Sequence, residues 1–160
     1  MAVYRGCDLP EELWYDVDRD IWARFEPDGT VTLGMTDPAQ TRCGQMVNIR
    51  FKAVGRRVAR GQSLATIESA KWVGPFSAVL SGAIAANNEA GFRADILAAN
   101  RDPYGSGWLV RLRPDRLAEE RLSLSTGREA VERYRTRIEA NNINCMRCAE
   151  GTDGGANVLG

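Results

Sequence analysis

The amino-acid sequence predicts a mainly β protein, a small sandwich or flattened barrel with short helices and one C-terminal helix. From Leu13 to Arg113, short β-rich runs alternate with glycine, proline, asparagine and aspartate. After Thr126 the apolar spacing changes to a helical period. At 160 residues the chain is long enough for one domain with a substantial core.

Taken in order, residues 21–26 read as a strand, Pro27-Asp28-Gly29 as a tight turn and 30–35 as the returning strand. Thr36-Asp37-Pro38 starts a short helix, because a capping hydroxyl precedes a proline whose missing N–H costs nothing in a first turn. Gly44 is its stop. Residues 46–51 form another strand and 54–61 a glycine-bounded connection. Strands at 64–69 and 79–85 flank a turn at Lys71. Residues 89–99 suit a short helix, Asp102 to Gly107 a dense turn, and 108–113 a closing strand that Trp108 begins as a core residue. Thr126 with Glu129 makes a capping box, and Val131, Tyr134 and Ile138 form the apolar stripe of a helix over 126–140.

Composition narrows the function. Formal charge is zero, and no basic stretch stands apart from acidic residues. A nucleic-acid binder would carry a basic stripe, so that class is excluded. The N-terminal MAVYRGCDLP lacks a charged-then-apolar leader pattern, and no apolar run reaches membrane-spanning length. A cytoplasmic protein without membrane attachment is expected, with Cys7, Cys43, Cys145 and Cys148 as reduced thiols. Histidine is absent, which removes the commonest general base and metal ligand. Only Lys52 and Lys71 stand against nineteen arginines. Arginine offers no amine nucleophile at neutral pH.

Lys71 occupies the segment that carries chemistry. In Leu64-Ala-Thr-Ile-Glu-Ser-Ala-Lys-Trp-Val-Gly-Pro75 a strand runs up to Glu68 and Ser69, small residues turn the chain, and the lysine stands at the tip. A ligase that acylates a lysine needs the amine on a rigid hairpin, clear of its own domain. The finished arm must then swing between distant sites at high effective concentration. Glu68 supplies a docking charge, Ser69 and Ala70 shape the turn, and Trp72 adds a recognition surface. Acylation removes the lysine charge.

The ordered motifs resemble the H protein of the glycine cleavage system over residues 10 to 113. They are Pro10, Leu13, Tyr15 and Trp22, then Val31-Thr-Leu-Gly-Met-Thr-Asp-Pro-Ala-Gln40 with Gly44, then Val54-Gly55 and Gly61. Glu68-Ser-Ala-Lys71, Ser81-Gly82, Asn87 and Asn100-Arg-Asp-Pro-Tyr-Gly-Ser-Gly-Trp108 complete the set. The resemblance implies a lipoyl-domain fold (a barrel-sandwich hybrid), lipoate bound covalently to Lys71, and a carrier without catalysis of its own. It implies a lipoate-protein ligase or lipoyl transferase as modifying partner. The glycine cleavage P, T and L proteins are then its working partners. A biotin carrier is the other swinging-arm reading. Its lysine usually sits between methionines, whereas Ala70 and Trp72 flank Lys71.

Other features depart from that family. Arg19-Asp20-Ile21-Trp22 stands where ordinary H proteins have Glu-His-Glu-Trp, and Trp72-Val-Gly-Pro75 replaces small and acidic residues. Arg5-Gly-Cys7 and Cys145-x-x-Cys148 are foreign to it. In these respects the chain resembles the lipoate-binding proteins of the heterodisulfide-reductase-like system of bacterial sulfur oxidation. That implies sulfur intermediates on the arm and a heterodisulfide-reductase-like complex as partner. An aminomethyl cargo within glycine cleavage is the alternative. Cys145 and Cys148 are also candidates for a redox pair, for part of a four-thiolate zinc site with Cys7 and Cys43, or for inert thiols. A small CxxC redox or zinc protein and an interaction module therefore stay open. The expected organisation is a lipoyl domain over 1–125, a helix and CxxC extension packed on it over 126–150, and a disordered tail over 151–160.

Overall fold

The computed structural model describes residues 1–149, and the tail expected over 151–160 lies outside the described residues. Strands β1 (Ala2–Tyr4) and β2 (Cys7–Leu9) form a separate antiparallel hairpin, turned by Arg5 and Gly6 at positive φ. β3 (Trp14–Asp16), β4 (Ile21–Phe25) and β5 (Val31–Met35) then pair in sequence. Helix α1 (Asp37–Cys43) follows. Its cap is the one the sequence suggests: Thr36 Oγ1 accepts the Ala39 N–H, and Gly44 ends the helix at φ 80°.

Next come β6 (Met46–Phe51), β7 (Arg57–Val58), β8 (Ser63–Ser69), β9 (Val73–Ser77) and β10 (Gly82–Asn87). Short helices α2 (Glu89–Ala94) and α3 (Ala98–Arg101) lead to β11 (Val110–Pro114). α4 (Leu117–Glu120), β12 (Ser125–Thr126) and α5 (Gly127–Ala140) finish the described elements. One sheet runs β12-β3-β4-β5-β11-β10-β7, and a smaller one runs β6-β8-β9. All pairings are antiparallel.

Two apolar clusters hold the fold. Val31, Leu33, Leu64, Ile67, Ile84 and Leu112 belong to the first, which joins the two sheets. Each such side chain contributes about 1.5–3 kcal/mol on burial. The second gathers Leu9, Tyr15, Trp22, Tyr134 and Ile138 under α5 and the N-terminal hairpin. Trp22 donates its indole N–H to the Pro103 carbonyl at 2.9 Å and lies flat on Gly34. A Cβ at Gly34 would meet the indole ring at 2.5 Å, so the close approach requires glycine there.

Several expectations need correction. Strand β9 lies where only a turn is expected between 69 and 79, because Gly74 and Pro75 are residues that usually break a strand. It is an edge strand, where a proline without an N–H is tolerated. The strand expected over 79–85 begins only at Gly82, and the helix expected over 89–99 splits into α2 and α3. The closing strand starts at Val110, so Trp108 precedes it. Trp108 is half-buried at the edge of the second cluster, with the Arg111 guanidinium 5.1 Å from its ring. The capping box does not form as expected. Thr126 Oγ1 donates to the Leu13 carbonyl at 2.7 Å and ties the helix start to the segment before β3.

The cysteines depart furthest from the expected reduced thiols. Cys7 and Cys145 are joined in a disulfide across a sequence separation of 138, while Cys43 and Cys148 are free and buried. The chain after α5 folds back over the β1–β2 hairpin, which no sequence spacing reveals. Cys145 and Cys148 are therefore not a redox pair with each other. A zinc site built from all four thiolates is lost with the same bond.

Candidate functional site

Lys71 stands at the tip of the β8–β9 hairpin with its side chain exposed. The turn beneath it is tightly specified by Ser69, which is buried. Its hydroxyl donates to the Cys43 carbonyl at 2.6 Å and accepts the N–H groups of Lys71 (3.3 Å) and Trp72 (3.1 Å). The Ser69 N–H donates to the Trp72 carbonyl, and the Ala70 N–H donates to the Gln45 carbonyl at 2.9 Å. Ser69 is therefore a structural keystone, joining the hairpin tip to the end of α1. Glu68 and Ala70 are exposed, and Glu68 lies opposite Val73 on β9 and Asn48 on β6.

The aliphatic stem of Lys71 runs along Gly44, where a Cβ would stand 3.4 Å from the stem. Its amine is left with no ion-pair partner among the described residues. A cavity of about 490 Å³ opens beside it, with Trp72, Pro75, Phe76, Arg42 and Cys43 in its wall. The Trp72 ring lies across Gly74, where a Cβ would come within 2.1 Å of it. Trp72 is 43% exposed and gives the arm an aromatic flank.

Asp20 also lines this cavity; it holds a positive φ and is buried. Arg137 grips it with two N–H groups at 3.1 and 3.2 Å, Tyr134 adds its hydroxyl, and Arg42 stands 3.7 Å away. Burial pushes the Asp20 carboxyl above its ordinary range, with Arg137 opposing the shift. Arg19 is taken up by Asp16 at 2.7 Å.

Lysine acylation needs an unpaired amine on a fixed turn with open space beside it, and these residues supply that. Among the described residues no group of three or more cysteine, aspartate and glutamate side chains is placed to hold a metal ion. Cys43 and Cys148 are buried thiols, and burial raises the pKa of both.

The residue that sequence reasoning missed is Asn100. It is fully buried, donates to the Gly44 carbonyl at 2.9 Å and to Gln40, and accepts the Met46 N–H at 2.9 Å. It thereby locks the loop on which Lys71 rests. Its place in Asn100-Arg-Asp-Pro-Tyr was visible, but its partners lie more than fifty residues away. Tyr104 in the same motif donates to the Asp8 carbonyl at 2.6 Å and accepts the Asp37 N–H at 2.9 Å, joining the N-terminal hairpin to α1.

Comparison with known proteins gives a consistent result. The family model described as Glycine cleavage H-protein matches residues 13–137. The protein named Glycine cleavage system H protein 2 of Aquifex aeolicus is 42% identical over 143 residues, 89% of this chain and 88% of that one. Probable glycine cleavage system H protein 2 of Saccharolobus solfataricus is 36% identical over 92% of this chain and 99% of its own. A glycine cleavage system H protein of Psychrobacter sp. is 42% identical over 108 residues, 68% of this chain and 84% of its own. A crystal structure of a glycine cleavage system H protein from Mycobacterium marinum superposes with a TM-score of 0.66 at 29% identity. It covers 84% of this chain and 100% of that one.

Proposed function

We propose a function from one premise: the chain belongs to the glycine cleavage H-protein family. Members are lipoyl carriers of β-sandwich fold that hold lipoate covalently on a lysine and do no catalysis themselves. Lys71 is the lysine assigned here. The observation that carries this is its unpaired, exposed amine on a turn fixed from below by Ser69, beside an open cavity. The arm then shuttles an aminomethyl group among the P, T and L proteins, in the cytoplasm, after a lipoate-protein ligase has modified it. When bound, lipoate supplies a reactive disulfide or dithiol. The chain supplies a fixed root at Lys71, an aromatic flank at Trp72 and a docking charge at Glu68. No described helix is long and apolar enough to cross a membrane.

A second reading has its own support. The Trp72 to Pro75 edge beside the lysine is apolar and stiff, with Trp72 and Val73 exposed. The relatives matched over 143 to 149 residues carry numbered names, three of them (2, 3 and 5) from the one organism Aquifex aeolicus. On this reading the arm carries sulfur intermediates for a heterodisulfide-reductase-like complex. A reconstituted glycine decarboxylase assay with lipoylated protein, and an authentic H protein as control, separates the two. Comparable rates support glycine cleavage. No rate, with sulfur species trapped on the reduced arm by mass spectrometry, supports the sulfur reading.

A further inference from the structure

Carrying a lipoyl arm requires neither Arg5-Gly-Cys7 nor Cys145-x-x-Cys148, yet the structure joins them and leads them to the arm. After α5 the segment 141–149 turns back at Asn142, which has a positive φ, and buries Ile143. The Cys145 N–H donates to the Arg5 carbonyl at 3.0 Å, beside the Cys7–Cys145 disulfide. The segment then runs along α1. Gln40 and Thr41 both donate to the Met146 carbonyl, at 2.5 and 3.1 Å. Arg147 inserts between Asp8, at 2.7 Å, and Asp37. The Cys148 thiol lies 3.5 Å from the Gln40 carbonyl, and Gln45 donates to the Cys148 carbonyl at 2.8 Å.

Gln45 is also where the lysine turn is tied, since its own carbonyl accepts the Ala70 N–H. The neighbouring Gly44 bears the Lys71 stem. The end of this strap and the root of the arm therefore share one two-residue support. Cys145 is three residues from Cys148, a span of at most roughly 11 Å of chain. Cys145 is partly exposed, whereas Cys7 is fully buried, so an incoming thiolate meets Cys145 first.

We propose that the Cys7–Cys145 disulfide is a redox site worked by the chain's own reduced arm. This rests on the reading of Lys71 as the lipoyl lysine. One thiolate of the dihydrolipoyl arm attacks Cys145 Sγ, the Cys7–Cys145 bond breaks, and Cys7 leaves as a thiolate that takes up a proton. The second arm thiol then attacks the arm sulfur of the mixed disulfide, closing the dithiolane and releasing Cys145 as a thiol. Two electrons and two protons pass from arm to cysteines, and every bond is accounted for. The covalent tie between strap and N-terminal hairpin is then gone. Cys148, sealed against α1 in the closed form, becomes accessible beside the arm.

The test uses the lipoylated full chain, reduced anaerobically by excess NADH with a catalytic amount of dihydrolipoamide dehydrogenase. NADH consumption is measured, thiols are alkylated, and labelled peptides are mapped. Two equivalents of NADH per chain are expected, one for the arm and one for the disulfide, with label on Cys7 and Cys145 and, once the strap is released, on Cys148. Unlipoylated Lys71→Arg protein should consume none and keep both cysteines unlabelled. The Cys7→Ser/Cys145→Ser variant should consume one, and the wild-type peptide map stands without it should that variant fail to fold. When the arm is first reduced rapidly by a large excess of dehydrogenase, a rate of Cys7 and Cys145 labelling per chain that does not change with chain concentration supports transfer within one chain, and a rate proportional to chain concentration overturns it. One equivalent with Cys7 and Cys145 unlabelled, in protein whose mass shows the lipoyl group, overturns this inference alone. Absence of that group by intact mass before NADH is added overturns the carrier reading, and this inference with it.

Discussion

The two apolar clusters of the molecule are built differently. The sandwich cluster is closed by aliphatic side chains from facing strands, with ladder hydrogen bonds satisfying the backbone. The second cluster is aromatic and anchored by polar contacts, including the Tyr15 hydroxyl on the Pro10 carbonyl at 2.6 Å and the Trp22 indole on Pro103. A disulfide closes it. The first cluster holds the lysine hairpin, while the second seats the N-terminal hairpin and the segment 141–149 against α1. The comparisons divide along the same line. The Psychrobacter match of 108 residues is too short to include both Cys7 and Cys145, whereas the Saccharolobus match of 149 residues is long enough. The carrier platform and the strap are separable layers that meet at Gly44 and Gln45.

That separation is open to test, beginning with the largest expected effect. Trp22→Ala should cost about 3–5 kcal/mol, because a fully buried indole leaves a large hole above Gly34. Urea denaturation measures it, and a loss below 1 kcal/mol would show that the second cluster contributes little to the fold. Cys145→Ser should cost roughly 2–4 kcal/mol by releasing a long loop in the unfolded chain. Lipoylation should survive it, since the lysine hairpin belongs to the other cluster. Loss of modification together with stability would merge the two layers. Trp108→Ala should cost less than Trp22→Ala, about 1–2 kcal/mol, because that ring is only half-buried.

The smallest effect concerns pH. The folded value of Asp20 is raised by burial, so the folded chain takes up a proton before the unfolded chain as pH falls. Stability from this group therefore increases as pH drops through the raised value and is fully present below the ordinary carboxylate value. It is lost again as pH rises through the folded value. Asp20→Asn, with a side chain that tolerates the positive φ, should flatten this part of the stability profile. An unchanged slope would transfer the dependence to another carboxyl such as Asp37, raised for the same reason.

Much of the platform was legible in the sequence because its signals are local. Thr36 and Gly44 bound a helix by cap chemistry, residues 46–51 form β6, and the strand running up to the Lys71 turn is set by nearby residues. The strap was not legible, because its contacts are long-range. Arg147 finds Asp8 and Asp37, and Cys145 finds Cys7, each more than a hundred residues away. The expectation of four reduced thiols failed for this reason. It rested on an assumed compartment and carried no information about which chain segments meet. Strand β9 was missed for a different reason, since glycine and proline signal a break unless the strand is known to lie at an edge.

The most direct measurement is the intact mass and peptide map of the chain co-expressed with a lipoate-protein ligase, beside Lys71→Arg. One lipoyl adduct per chain is expected, on Lys71. The variant should be folded and unmodified, with Lys52 bare in both. Lipoate on Lys52, or no adduct on wild-type protein while a control carrier is fully modified in the same cells, would contradict the assignment of Lys71.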